Sequence, residues 1–218
     1  MKSCNTYIYI LSLLLAGGLS TTSCSDLLTE DPSSYYEKKE IFASEEKAAM
    51  AVVGVYDELP TLYSYMDMAF PCSDDTYYVS GLTADKGRRD IAHYKLTSSN
   101  TWVNSVWQGN YTGIERANYT IEGIEGMENY EGDEGLQSLV AEAKFLRALY
   151  AFNLVRYWGD VPFKTTSTNV NKDIYQPRVS RELIYDQMID DLNFAKNHLP
   201  WATAATSPER PRVLPVHF

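Results

Sequence analysis

Glu142-Ala-Lys-Phe-Leu-Arg-Ala-Leu-Tyr-Ala-Phe-Asn-Leu-Val-Arg-Tyr-Trp-Gly-Asp-Val-Pro-Phe163 spells a helix, a sharp stop and an extended exit in its residue types. With Leu139 just before it, the positions Ala143, Leu146, Tyr150, Asn153/Leu154 and Tyr157 recur at three- and four-residue steps, which places them on one helix face. Gly159 predicts the stop, because glycine takes the left-handed cap conformation without a Cβ clash. Pro162 blocks resumption of the helix and holds Val161 extended. Arg147, Asn153 and Arg156 add polar groups to a helix otherwise rich in aromatics. On pattern alone this is an amphipathic core helix beginning near Asp133.

The neighbouring segments supply its partners. Val103, Val106, Trp107, Asn110, Ile114, Ala117, Ile121 and Ile124 give a helical stripe over 101–126, capped by Ser99 or Asn100. A short turn rich in Gly and acids joins the two helices, so they are expected to pack as an antiparallel hairpin. An earlier helix is expected over 44–59. Ser44 caps it, Glu45 and Glu46 suit its first turn, Ala49, Val52, Val53, Tyr56 and Leu59 form its stripe, and Pro60 ends it. A fourth helix starts at Ser180 and carries Leu183, Ile184, Met188, Leu192, Ala195 and Leu199. Residues 61–100 and 164–179 read as irregular, and no alternating run of strand length appears. The expected fold is all-α, built of tetratricopeptide-type helix pairs with long irregular loops; one clear pair is fewer than a free-standing solenoid needs.

The chain has 218 residues, 44% hydrophobic and 22% charged, which describes a globular protein with room for one core. Its formal net charge of −10 argues against nucleic acid and against docking on anionic lipid by charge. The 17 tyrosines suit surfaces that bind by stacking and hydroxyl hydrogen bonds, though tyrosine also fills helical cores.

Residues 1–23 read as a signal peptide: a basic start at Lys2, then an apolar run from Ile8 to Leu19 too short to span a membrane. Ser20-Thr-Thr-Ser-Cys24 looks like a lipobox, with Thr21 where an aliphatic residue is usual. Cys24 is therefore the expected lipidation site, and the alternative is an ordinary secretory signal. Cys4 leaves with the signal, so Cys72 has no cysteine to pair with inside the mature chain. Residues 24–43 read as an acidic tether, 44–200 as the helical domain and 201–218 as a tail.

The candidate ligand-binding residues lie mostly in the 61–100 stretch, which is long and aromatic for a mere connector. Tyr77, Tyr78 and Tyr94 are candidates to stack on sugar rings, and Arg88 and Asp90 to bond hydroxyls; packing within the loop is the equal alternative. Asp74 and Asp75 are candidates for a cation or sugar hydroxyls, although a solvated acidic turn is favoured because no calcium-loop spacing follows. Trp107 fits the core stripe, whereas Trp102, at the helix start, is placed to border a site. His93, His198 and His217 share no zinc-ligand spacing. With 29 acids present, no carboxylate pair stands out as a glycosidase signature. Neither cofactor nor metal is implied. Asn110-Tyr-Thr112 and Asn118-Tyr-Thr120 match the glycosylation pattern, but on a packed helix chance is the better reading.

Taken together the chain resembles the SusD/RagB family of outer-membrane nutrient-binding lipoproteins. The matching residues are Cys24-Ser-Asp-Leu-Leu, Phe42 with Glu45-Glu46 and Ala48-Ala49, Gly54-Val-Tyr56, Trp107, Tyr111, Gly113-Ile114 and Arg116-Ala-Asn118. Glu142–Tyr150, Trp158–Phe163, Arg178-Val-Ser180, Ile184-Tyr185, Asp191-Leu192 and Leu199-Pro200 continue the series. The resemblance implies a right-handed helical fold and a non-catalytic surface lipoprotein. Such a protein binds glycans, or in some members peptides, and passes them to a TonB-dependent transporter in the outer membrane. Asp26, Glu30 and Asp31 resemble a surface-export signal. Family members are longer, and Pro208, Pro211 and Pro215 preclude the helix expected after the fourth one, so 201–218 reads as the product of a frameshift, a gene break or a fragmentary sequence, the alternative being a genuinely short relative. The last helix should then leave its apolar stripe poorly covered. Two alternatives stay open, a helical-repeat scaffold for a protein or peptide partner and a lipoprotein hydrolase.

Overall fold

The structure is a computed structural model that describes residues 38–60, 86–172 and 175–200. All of them fall within one compact unit, Glu37–Phe218. Six α-helices and one two-residue strand pair make up its regular structure among these residues: α1 Lys38–Ile41, α2 Glu45–Tyr56, α3 Lys86–Ala92, α4 Thr101–Glu125, α5 Glu134–Trp158, β1 Val161–Pro162, β2 Arg178–Val179 and α6 Arg181–His198.

The α4–α5 hairpin is the centre of the fold. Asn100 starts α4, its Oδ1 accepting from the amides of Trp102 and Val103 at 3.0 and 3.2 Å. Asp133 starts α5 the same way through the Leu136 amide at 3.1 Å. A 3-10 turn, Tyr130–Gly132, lies between them. Ile121 and Ile124 cluster with Leu136, Leu139, Val140 and Ala143, whereas Ile114 and Ala117 cluster with Leu146, Tyr150 and Leu154. That inverse register makes the pair antiparallel, as expected. Gly159 ends α5 at φ 69°, a backbone conformation that glycine adopts without strain.

Tyr150 bolts three helices together. Its ring lies against Gly113, where an added Cβ would come within 2.5 Å of the ring. Its hydroxyl donates to the Val55 carbonyl of α2 at 2.7 Å. Phe42 fills a similar notch at Gly123, 2.1 Å from the position a Cβ would take. Thus residues 38–41, read as the end of the tether over 24–43, form α1, and Phe42 just after it brings a buried aromatic to the core.

Several expectations need correction. α2 ends at Tyr56 rather than Leu59, and its buried residues are Ala48, Val52 and Val55, while Val53 is 58% exposed. The helix is apolar on nearly every side, so periodicity alone did not select the face that meets α4 and α5. Residues 86–92, read as irregular, form α3; seven residues with one buried side chain, Ile91, carry too little period to register. Strands do occur: Val161 pairs with Val179 and Pro162 with Arg178, antiparallel. Two residues a side lie below any pattern-based reading, and the pair closes the loop between α5 and α6.

α6 packs on α5 through Ile184, Met188, Asp191 and Ala195. Of its predicted stripe, Leu183 and Leu192 remain exposed, together with Tyr185 and Ile189. The expectation of a poorly covered stripe therefore holds only in part: Ile184, Met188 and Ala195 are buried, and the outer apolar side is exposed. Among the described residues no helix is long and apolar enough to cross a membrane.

Candidate functional site

Two polar constellations stand out. The first is buried. Arg147 and Asp191 form a two-pronged ion pair at 2.8 and 2.6 Å, with side chains 6% and 3% exposed. Arg147 also donates to Asn118 Oδ1 at 2.8 Å and to the Thr165 carbonyl at 3.3 Å. Asn118 donates to the carbonyls of Lys164 and Thr166 at 3.0 and 3.3 Å. On either side of Asn118 in α4, Glu122 accepts from the amide and hydroxyl of Ser167 at 2.7 and 2.5 Å, and Glu115 from those of Thr168 at 2.7 and 2.6 Å. These groups strap residues 164–168 onto the hairpin and are directed at one another, so this network builds scaffold. The inward-facing Asn110 and Asn118, both buried, also fit the chance reading of their glycosylation patterns.

The second constellation lies where α3 meets the start of α4. The Arg88 guanidinium sits over the Trp102 indole, 4.1 Å from the ring centroid. Asn100 fixes that approach: besides capping α4, its side-chain nitrogen donates to the Gly87 carbonyl at 3.0 Å. Tyr94 follows α3 with φ 56° and is 79% exposed. The Lys95 amide donates to the Asp90 carbonyl at 2.7 Å and the Tyr94 amide to the Ile91 carbonyl at 3.1 Å. This is the paired cap that usually places glycine at the left-handed position. A tyrosine there is strained, and the cap holds its ring outward.

Of the predicted site residues, the structure brings Arg88 and Trp102 together. It turns the Asp90 carboxylate to Lys86. The hydrogen bond from Lys86 holds the Asp90 carboxyl below its usual range, with Lys86, Arg89 and Lys95 adding favourable charge. Asp74, Asp75, Tyr77 and Tyr78, like Cys24 and Cys72, lie outside the described residues. Trp107 is a core residue as expected, edge-on to Trp158 at 5.1 Å and tilted against Tyr111 at 4.9 Å. Sequence reasoning missed Asn100 as the bridge between α3 and α4; an Asn before a helix signals a cap, and nothing in the pattern signals its second bond.

Two surface grooves complete the picture. One of about 290 Å³ runs between α5 and α6, lined by Phe145, Leu149, Phe152, Tyr185, Ile189 and Leu192 among others. A more open one of about 430 Å³ lies along α2 at Glu45, Glu46, Ala49, Met50 and Val53. Among the described residues no group of three His, Cys, Asp or Glu side chains is placed to hold a metal.

Comparison with known proteins places this architecture. Residues 27–212 match the SusD-like family described as starch-binding and associating with the outer membrane. A SusD-like protein of Formosa agariphila is 26% identical over 225 residues, covering 97% of this chain and 40% of its own length. The crystal structure of a SusD homologue from Bacteroides thetaiotaomicron superposes with a TM-score of 0.63 at 28% identity, over 75% of this chain and 32% of that one. A laminarin-binding SusD-like protein gives a TM-score of 0.60 at 26% identity, over 71% and 34% of the two chains. The chain spans about two fifths of the length of the curated relatives it matches. With the match running from before α1 to beyond α6, on an all-helical scaffold of tetratricopeptide type, the chain belongs to the SusD-like family.

Proposed function

We propose that this chain is the helical N-terminal portion of a non-catalytic, lipid-anchored outer-membrane protein that binds glycans and passes them to a TonB-dependent transporter. The observation that carries the reading is the family match over residues 27–212. Capture is reversible and involves no covalent step. Trp102 and Tyr94 are the candidates to stack on sugar rings and Arg88 and Asp90 to bond hydroxyls, with Asp74, Asp75, Tyr77 and Tyr78 as the further candidates from the sequence. Cys24 carries the lipid, whose chains hold the protein at the membrane by burying methylenes. A family relationship to a laminarin-binding protein supports an oligosaccharide ligand.

Affinity electrophoresis through gels containing single polysaccharides tests the binding, and radiolabelled palmitate incorporation lost in Cys24→Ala tests the anchor. Retardation in at least one glycan gel, with no turnover of that glycan, is the expected result. The apolar groove between α5 and α6 favours a second reading, a helical scaffold for a protein or peptide partner. Copurification of a β-barrel transporter without affinity for any glycan would favour that scaffold instead.

A further inference from the structure

The outer side of α6 carries an apolar stripe that stays open to solvent. Tyr185, Ile189 and Leu192 are 40%, 54% and 43% exposed, and with Phe152 of α5, also 40% exposed, they line the groove between the two helices. Large apolar side chains gathered in one such strip gain by leaving water together. A cation continues the stripe: Lys196 follows Leu192 at a four-residue step, on the same side of the helix, and is exposed. Acids flank its other end. Glu182 and Asp186, one turn apart and both exposed, lie beside Tyr185. Glu182 already faces the Arg181 guanidinium at 3.4 Å.

The face is therefore acidic at the start of α6, apolar along its middle and basic near its end. Such a face complements itself when reversed. Set Ile189 against Leu192 of an antiparallel second copy, and Lys196 of that copy comes level with Tyr185, between Glu182 and Asp186. A two-fold axis repeats the contact at the other end. The opposed helix dipoles favour the same alignment. A parallel copy would instead bring Asp186 level with Asp186 and Lys196 level with Lys196, so charge selects the antiparallel one. Phe152 broadens the apolar seam from the α5 side.

We infer that the α5–α6 groove is the contact face of an antiparallel two-fold homodimer, in which α6 lies along α6 of a second copy. The inference is independent of glycan binding, because it uses neither α3 nor the start of α4. Sedimentation equilibrium of the whole chain tests it, with reductant present so that no cysteine links two copies. A monomer–dimer equilibrium with no larger species is the expected result. Ile189→Asp should give a monomer with an unchanged melting transition, because that side chain is already exposed. Asp186→Lys and Lys196→Asp should each weaken the dimer about tenfold, since each places two like-charge pairs in it. Mixing these two variants should restore dimers near the parent strength, because only the mixed species sets lysine against aspartate at both ends. Should Ile189→Asp unfold the chain, the mixing experiment decides alone. A monomer at every concentration would overturn the inference and leave the groove to a different protein. Association that survives Ile189→Asp, as contact through the apolar 8–19 run would, also overturns it. So does a mixture that associates no better than its components.

Discussion

Tyr150 shows how one side chain can hold several elements. Its ring occupies the space left by Gly113, and its hydroxyl crosses to the Val55 carbonyl at the end of α2. Burial raises its phenol pKa well above the usual value, so it remains a neutral donor across the physiological range. Tyr150→Phe keeps the packing and removes one buried hydrogen bond, and is expected to cost about 1–2 kcal/mol. Urea denaturation should show a lower midpoint with an unchanged slope. An unchanged midpoint would mean that the bond contributes nothing net. The buried Arg147–Asp191 pair behaves differently. Asp191→Ala strands a buried guanidinium and should cost about 3–5 kcal/mol, while Arg147→Met with Asp191→Leu should recover most of that loss. Failure of the double variant to recover would show that the strap over 164–168 depends on the charge itself.

Among elements, the hairpin was the most legible because each of its helices spans 25 residues and carries its own cap and period. Asn100, Asp133 and Gly159 mark three of its four ends in the sequence. The phase of α2 was not legible, since Ala48–Val52–Val55 and Ala49–Val53–Tyr56 are equally apolar stripes and only the packing on α4 and α5 separates them. α3 is short, and Gly87 in its first turn reads as a break. Its stability should depend on pH. Asp90 has a carboxyl pKa lowered by Lys86 in the folded state, so the Lys86–Asp90 pair stabilises the helix at pH values above the ordinary carboxylate pKa of about 3.9. That contribution is lost as the pH falls through the lowered folded value. Amide exchange in α3 should therefore accelerate on acidification below about pH 4, and Asp90→Asn should abolish that dependence while leaving α5 unaffected.

At the scale of the molecule, α1, α2 and the α4–α5–α6 stack form one helical unit, and the candidate site sits at its α3–α4 corner. The scaffold could be read from the sequence because core positions repeat. The site could be read only in part, because Arg88 and Trp102 are fourteen residues apart and meet only when Asn100 draws α3 onto α4. Charge was legible as a chain total, which pointed away from nucleic acid and from docking on anionic lipid by charge. The curated relatives it matches are more than twice as long, and among the described residues a groove between α5 and α6 presents apolar side chains away from the candidate site. The most direct measurement is affinity electrophoresis of the chain and of Trp102→Ala through neutral and anionic polysaccharide gels. Glycan capture at the α3–α4 corner requires retardation of the parent chain in at least one gel. It also requires free migration of Trp102→Ala there, with both proteins melting at the same temperature. Equal mobility of the two in every gel would contradict it.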